Sequence, residues 1–153
     1  MKTCGIIAEY NPFHQGHIYH IQKTKELTQC DCLIAIVSNH FTQRGLFNLL
    51  TMEDKTKLAL EAGCNLVIEL PPCYAAQSAD YFAKYAVESL SQLHIDQICF
   101  GSETNNISTL KEYSKQMEST QVVPSLSMNQ NLYTKNIRPN DILGIQYIKQ
   151  CEK

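Results

Sequence analysis

The sequence predicts an α/β fold, a Rossmann-like parallel sheet with helices on both faces. Apolar, β-branched runs alternate with segments of helical period. One of those segments, Ala79, Phe82, Ala83, Ala86, Val87, Leu90 and Leu93, carries a continuous apolar stripe suited to packing on a sheet. The first apolar run also leads straight into a stiff turn, Glu9 to His17, which opens a helix.

In chain order, the strand candidates are Thr3 to Ala8, Cys32 to Val37, Asn65 to Leu70 and Gln97 to Phe100. A helix from about His17 to Thr28 is expected to bury Ile18, Ile21 and Leu27. A second, Met52 to Ala62, ends at Gly63, a natural C-cap. Pro71-Pro72 should stop the third strand and prevent an immediate helix. Beyond Glu103, Asn106 to Met117 reads as helical and Asp141 to Gln150 as a last helix. The expected organisation is one domain over 1–153, with a well-patterned core at 1–118, a polar, irregular segment at 119–138 and a C-terminal helix at 139–153.

At 153 residues, 44% hydrophobic and 18% charged, the chain can bury a core of its own. No apolar run approaches the roughly 20 residues of a membrane span, and no signal peptide is evident. A cytoplasmic protein without a membrane partner is therefore expected. Seven scattered cysteines disfavour a disulfide framework, and Cys30-Asp31-Cys32 lacks the second ligand pair of a metal site, so it reads as structural thiols. Residues 1–110 hold 7 Lys/Arg against 11 Asp/Glu (net −4), and residues 111–153 hold 6 against 4 (net +2). Neither half has the strongly basic character of a self-sufficient nucleic-acid binder.

The chemistry concentrates at Glu9-Tyr10-Asn11-Pro12-Phe13-His14-Gln15-Gly16-His17. Pro12 fixes its own φ and pushes Asn11 toward extended geometry. Gly16, without a Cβ, would let a phosphate approach the first N–H groups of the helix. His14 and His17, three apart, can turn both imidazoles toward one point, where they could stabilise charge on an α-phosphate under in-line attack. The alternative is a capped surface helix with solvated histidines. A parallel sheet places ligands at the carboxyl ends of its strands, so this turn and Gly101-Ser102-Glu103 could face one crevice.

The HxGH pattern after a first strand is the signature of the nucleotidyltransferase superfamily. The longer string AEYNPFHQGHIYH resembles the bacterial tRNA(Met) cytidine acetate ligase family. The likeness continues through Leu66-Val67-Ile68-Glu69-Leu70-Pro71, Gln77-Ser78-Ala79-Asp80-Tyr81-Phe82-Ala83, Cys99-Phe100-Gly101-Ser102-Glu103 and Pro139-Asn140-Asp141-Ile142-Leu143-Gly144. The resemblance implies an enzyme that activates acetate with ATP as acetyl-adenylate, then acetylates N4 of the wobble cytidine of elongator tRNA(Met). It places ATP on Ile7, Ala8, Glu9, Tyr10, Asn11, Pro12, Phe13, His14, Gln15, Gly16, His17, Ile18, Tyr19 and His20, then on Gly101 and Asn140. His14 and His17 would be catalytic, with Mg2+ assisting the leaving pyrophosphate.

The chain departs from the family's pattern in places. Ser38-Asn39-His40-Phe41-Thr42-Gln43-Arg44-Gly45-Leu46-Phe47 stands where Ser-Gly-Asn-Phe-Val-Gln-Arg-Gly-Glu-Pro is usual, and Met52-Glu53-Asp54-Lys55 where a Lys-(Trp/Phe)-Thr-Arg string is typical. The resemblance spans less than half of a typical member. The expectation is that the family's C-terminal region, with its Ser-Gly-Thr-x-x-Arg type motif, is absent and that tRNA is held weakly by this chain alone. Two other functions remain open: a nucleotidyltransferase acting on a small phosphorylated substrate, and a non-catalytic nucleotide-binding relative.

Arg44, in a loop at the strand ends, could reach a phosphate or tRNA, or be solvated. His40 could be a ligand, a base or neither, and His20 could frame the nucleotide or face solvent. His94, where the long helix ends, is assigned a structural part.

Overall fold

The computed structural model describes residues 1–119 and 137–152. The chain divides into two compact units, Met1–Phe100 and Gly101–Lys153. The expected irregular segment at 119–138 lies almost wholly outside the described residues.

The first unit holds β1 (Thr3–Ala8), α1 (Gln15–Thr28), β2 (Cys32–Ser38), α2 (Met52–Ala62), β3 (Leu66–Leu70), α3 (Pro72–Ala75), α4 (Ala79–Gln92) and β4 (Gln97–Ile98). The four strands form one parallel sheet in the order β3-β2-β1-β4. β1 pairs with β2 from Thr3↔Cys32 to Ala8↔Val37, and β2 with β3 from Ile34↔Leu66 to Ser38↔Leu70. The chain thus runs outward from β1 to β3 and then returns to the other side of β1. That reversal makes the carboxyl end of β1 a topological switch point, where open α/β sheets form their ligand crevice.

Alternate residues of β1 and β2 face opposite ways, so both faces must be covered. Cys4, Ile6, Leu33, Ala35 and Val37 pack with Ile21 of α1 and Ala59 of α2 in one core. On the other face α4 buries Phe82, Ala83, Ala86, Val87 and Leu90, five of the seven residues of the stripe read from the sequence, while Ala79 is half-buried and Leu93, the C-cap, is exposed. Gly5 is where that face closes most tightly, since a Cβ there would lie 2.7 Å from both terminal methyls of Leu90 and 2.9 Å from Cδ1 of Ile95. Gly5→Ala should therefore destabilise the protein by about 1–3 kcal/mol, the usual cost of overpacking a filled core. Chemical denaturation measures it, and a midpoint unchanged from wild type would contradict this packing.

Several local expectations are corrected. α1 begins at Gln15, with His14 as its N-cap, and it buries Ile21 and Thr24 rather than Leu27, which is 67% exposed. The Thr28 hydroxyl donates to Thr24 O at 2.6 Å, while the buried Thr24 hydroxyl itself has no hydrogen-bond partner among the described residues. Pro71-Pro72 does not prevent an immediate helix. Pro72 opens the one-turn α3, because a proline lacking N–H loses nothing at a helix start. β4 pairs only over Gln97–Ile98, although Cys99 N still donates to Gly5 O at 2.9 Å. Gly63 does cap α2, at φ 118°, as its sequence position suggests.

The second unit contains α5 (Ile107–Ser119) and α6 (Pro139–Cys151). The two helices pack on each other, and α6 buries Ile142, Gly144, Ile145, Tyr147 and Ile148.

Candidate functional site

The turn after β1 is built by its own side chains. Tyr10 is fully buried, with φ 51°, and its hydroxyl lies by the Cys64 thiol. Its ring meets Phe13 edge-on at 4.8 Å and His17 at 4.9 Å. Phe13 adds a further contact to His17 at 5.5 Å. The aromatic body of the turn thereby fixes the His17 ring before any ligand arrives.

The two histidines form a reciprocal cap on α1. His14 Nδ1 accepts from Gly16 N at 3.1 Å, and His17 Nδ1 accepts from His14 N at 3.2 Å. An accepting Nδ1 carries no proton, so both neutral rings bear their hydrogen on Nε2. The rings stack at 3.8 Å. Burial, then the neighbouring His14 and His20, pull the His17 pKa down to about 4. Burial also lowers His20, whose Nε2 is enclosed with no hydrogen-bond partner among the described residues. The first turn of α1 contains no acidic residue, leaving the positive helix end uncompensated. Two neutral N–H donors at an uncompensated helix start suit an anionic oxygen.

Gly16 has a firmer reason than ligand approach. A Cβ there would lie 2.9 Å from His14 Cε1, so any larger residue would push the capping ring aside.

Glu9 and Asn11 tie this turn to the loop after β2. Glu9 Oε1 accepts from Gln43 N at 2.5 Å, Asn11 Oδ1 accepts from Leu49 N at 2.6 Å, and Asn11 Nδ2 reaches Phe47 O at 3.4 Å. The loop is a small hairpin with an antiparallel Phe41–Phe47 bridge, Thr42 N bonded to Leu46 O, and Gly45 at φ 75°. Arg44 stands exposed at its tip.

Of the other residues predicted for the nucleotide, Ile7 and Ala8 are half-buried at the end of β1, while Pro12, Gln15 and Tyr19 are exposed and Ile18 is half-buried on α1. Gly101 and Asn140 belong to the second unit. There Asn140 Nδ2 donates to Glu103 Oε1 at 3.0 Å, and Glu103 also accepts from Asp141 N at 3.1 Å. Asp141, 2% exposed, accepts from the Ser102 hydroxyl at 2.5 Å and the Thr104 hydroxyl at 2.6 Å. Burial works to raise its carboxyl, but these bonds outweigh it and hold the group below the usual carboxylate range. The structure thus joins Gly101-Ser102-Glu103 to Pro139-Asn140-Asp141, two segments the sequence singled out separately. Gly101 itself has open space where a Cβ would be.

Lys55 is the residue that sequence reasoning missed. It is fully buried on α2, and its Nζ donates to Ser38 O at 2.8 Å and Asn39 O at 3.4 Å. Its one sequence signal is its place at the arginine position of the family string, where positive charge is retained. Among the described residues no three His, Cys, Asp or Glu side chains group to hold a metal. Among them too, no helix is long and apolar enough to cross a membrane.

A parallel sheet with its switch point at β1, and an HxGH turn capping the following helix there, define a nucleotidyltransferase-type α/β domain. A family profile described as HIGH Nucleotidyl Transferase matches residues 1–153, and the chain belongs to that family. It is similar to proteins named tRNA(Met) cytidine acetate ligase. The one from Geobacillus sp. (strain WCH70) is 41% identical over 169 residues, covering 97% of this chain and 42% of that protein. The Bacillus subtilis (strain 168) protein is 38% identical over 170 residues, with 97% and 41% covered. The chain therefore spans less than half the length of these curated relatives. Among solved structures, Thermotoga maritima TmcAL bound with alpha-thio ATP superposes with a TM-score of 0.88 at 30% identity, over 99% of this chain and 44% of that one. A lipopolysaccharide core biosynthesis protein from Thermoplasma volcanium, at 16% identity and TM-score 0.52 over 78% of this chain, shares the fold alone.

Proposed function

We propose that the turn after β1 binds ATP and that the chain activates acetate as acetyl-adenylate for acetylation of the wobble cytidine of elongator tRNA(Met). The observation that carries this reading is the reciprocal His14–His17 cap, which presents two neutral Nε2–H donors at the start of α1. A carboxylate oxygen of acetate attacks the α-phosphorus, the bond to the β-bridging oxygen breaks, and pyrophosphate leaves with the electron pair. Charge builds on the non-bridging α-oxygens, where His14 and His17 donate. N4 of cytidine then attacks the acetyl carbon, the acyl C–O bond breaks, AMP leaves with its electron pair, and the proton lost from N4 passes to solvent.

Ile7, Ala8, Tyr10, Pro12, Phe13, Gln15, Ile18, Tyr19 and His20 would line or support the nucleotide. Glu9 and Asn11 already serve the neighbouring loop and would act by placing Arg44 near phosphate or tRNA. Among the described residues no three His, Cys, Asp or Glu side chains gather to hold Mg2+ by themselves. Mg2+ would arrive on the phosphates of ATP, and no step here is routed through it. The names of the relatives and the ATP analogue bound to the Thermotoga protein support the choice of substrates. Cytoplasmic location fits them as well.

Exchange of labelled pyrophosphate into ATP tests the reading, with acetate as substrate and phosphopantetheine or nicotinamide mononucleotide as controls. Exchange that depends on acetate is expected. Exchange only with a control would assign a different nucleotidyl transfer, and ATP binding without any exchange would mark a non-catalytic relative.

A further inference from the structure

Lys55 is a charged group in a place that costs free energy. It is fully buried, and its ammonium is bonded to main-chain carbonyls rather than to a carboxylate. Burial pulls its pKa down to about 8, against the opposing pull of Glu9. Taking a charge out of water is costly, and even buried ion pairs are often replaced by apolar residues of similar volume without loss of stability. What Lys55 touches gives the charge a use. Ser38 and Asn39 are the residues with which β2 ends and the hairpin loop begins, and their carbonyls also receive Asn48 Nδ2 from the far side of that loop. Glu9, which holds the same loop at Gln43 N, is the carboxylate whose field reaches Lys55. Among the described residues no other charged group is set against Lys55. The end of β2 offers carbonyls, Glu69 of β3 accepts from Asn39 Nδ2, and Glu53 and Asp54 of α2 are exposed.

We propose that Lys55 is a positioning residue for the nucleotide turn, clamping the end of β2 from inside α2 and drawing Glu9 toward it, so that residues 9–13 and 41–49 hold one arrangement. The proposal rests on the ATP reading of that turn and adds to it the part that fixes its geometry. Arg44, at the tip of the loop held this way, is placed by the same clamp.

The test compares wild type with Lys55→Met, Lys55→Arg and Glu9→Gln by ATP affinity, amide hydrogen exchange without nucleotide, and thermal melting. Lys55→Met should weaken ATP binding at least tenfold and speed exchange of the Gln43 and Leu49 amides at least tenfold, with its melting temperature within a few degrees of wild type. Lys55→Arg should recover most of both. Wild-type ATP affinity should fall as pH rises through the Lys55 pKa, Lys55→Arg should hold its affinity there, and Glu9→Gln should move the loss to lower pH. A purely structural lysine would lower the melting point and leave the affinity of the folded protein and its pH profile unmoved, which overturns the proposal. Unchanged Gln43 and Leu49 exchange in Lys55→Met overturns it whatever ATP does. Wild type that fails to bind ATP overturns instead the nucleotide reading, and is recognised by intact loop ordering with no affinity to lose.

Discussion

Replacing His17 by alanine should lower acetate-dependent pyrophosphate exchange about 10²–10³-fold while ATP affinity falls less than tenfold. The separation follows from what each contact sees. In the ground state the α-phosphate already has its negative charge solvated. Only as acetate attacks does charge shift onto oxygens that two fixed Nε2–H donors would meet. His17 is held for that moment by Tyr10, Phe13 and His14 at ring distances of 4.9, 5.5 and 3.8 Å, so little reorganisation remains to be done. Alanine also deletes half of the reciprocal cap, at a cost of about 1 kcal/mol in stability. Glutamine separates the two effects, because its amide oxygen at this position can accept from the cap N–H as a capping box does. His17→Gln should melt close to wild type and still lose most of the exchange. Equal loss of affinity and exchange in both variants would place His17 in ground-state binding and sink the transition-state role.

How much of this was legible beforehand depends on the range of the interactions. The turn was, because strand, proline, HxGH and helix lie within 15 residues and each acts on its neighbours. The inward stripe of α4 was legible because seven apolar residues repeat the helical period without interruption. α1 was half legible. Its period is interrupted by polar residues, and Thr24 occupies an inward position that an apolar count assigns to Leu27. Pro72 was misread because the same lack of N–H that breaks a helix interior is harmless at its start. The bond between Glu103 and Asn140 crosses 37 positions, and Lys55 meets Ser38 across 17, so neither leaves a local pattern. Lysine is also read as a solvated residue by default, which hides the one that is not.

The lowered His17 pKa makes a second large effect visible in stability rather than rate. Its ordinary value is 6.5 and the folded protein holds it near 4, chiefly through burial. Between those values the unfolded chain binds a proton that the folded one does not, so stability is full above pH 6.5 and is lost as pH falls toward 4. At 1.36 kcal/mol per pKa unit, a fall from 6.5 to about 4 corresponds to about 3 kcal/mol, and partial exposure of the ring brings this to about 2. His20 adds to the loss in the same direction, since burial lowers it too. Denaturation midpoints at pH 7 and pH 4.5 should therefore separate further in wild type than in His17→Gln, which keeps the cap but cannot titrate. The mechanism is local. A proton on Nδ1 would face the His14 N–H it now accepts from, so protonation unlocks the start of α1 as well as charging a buried ring. Identical pH dependence in the two proteins would mean that His17 is solvated enough to take up its proton freely. A ring so exposed could not be the preorganised neutral donor on which the adenylation reading depends.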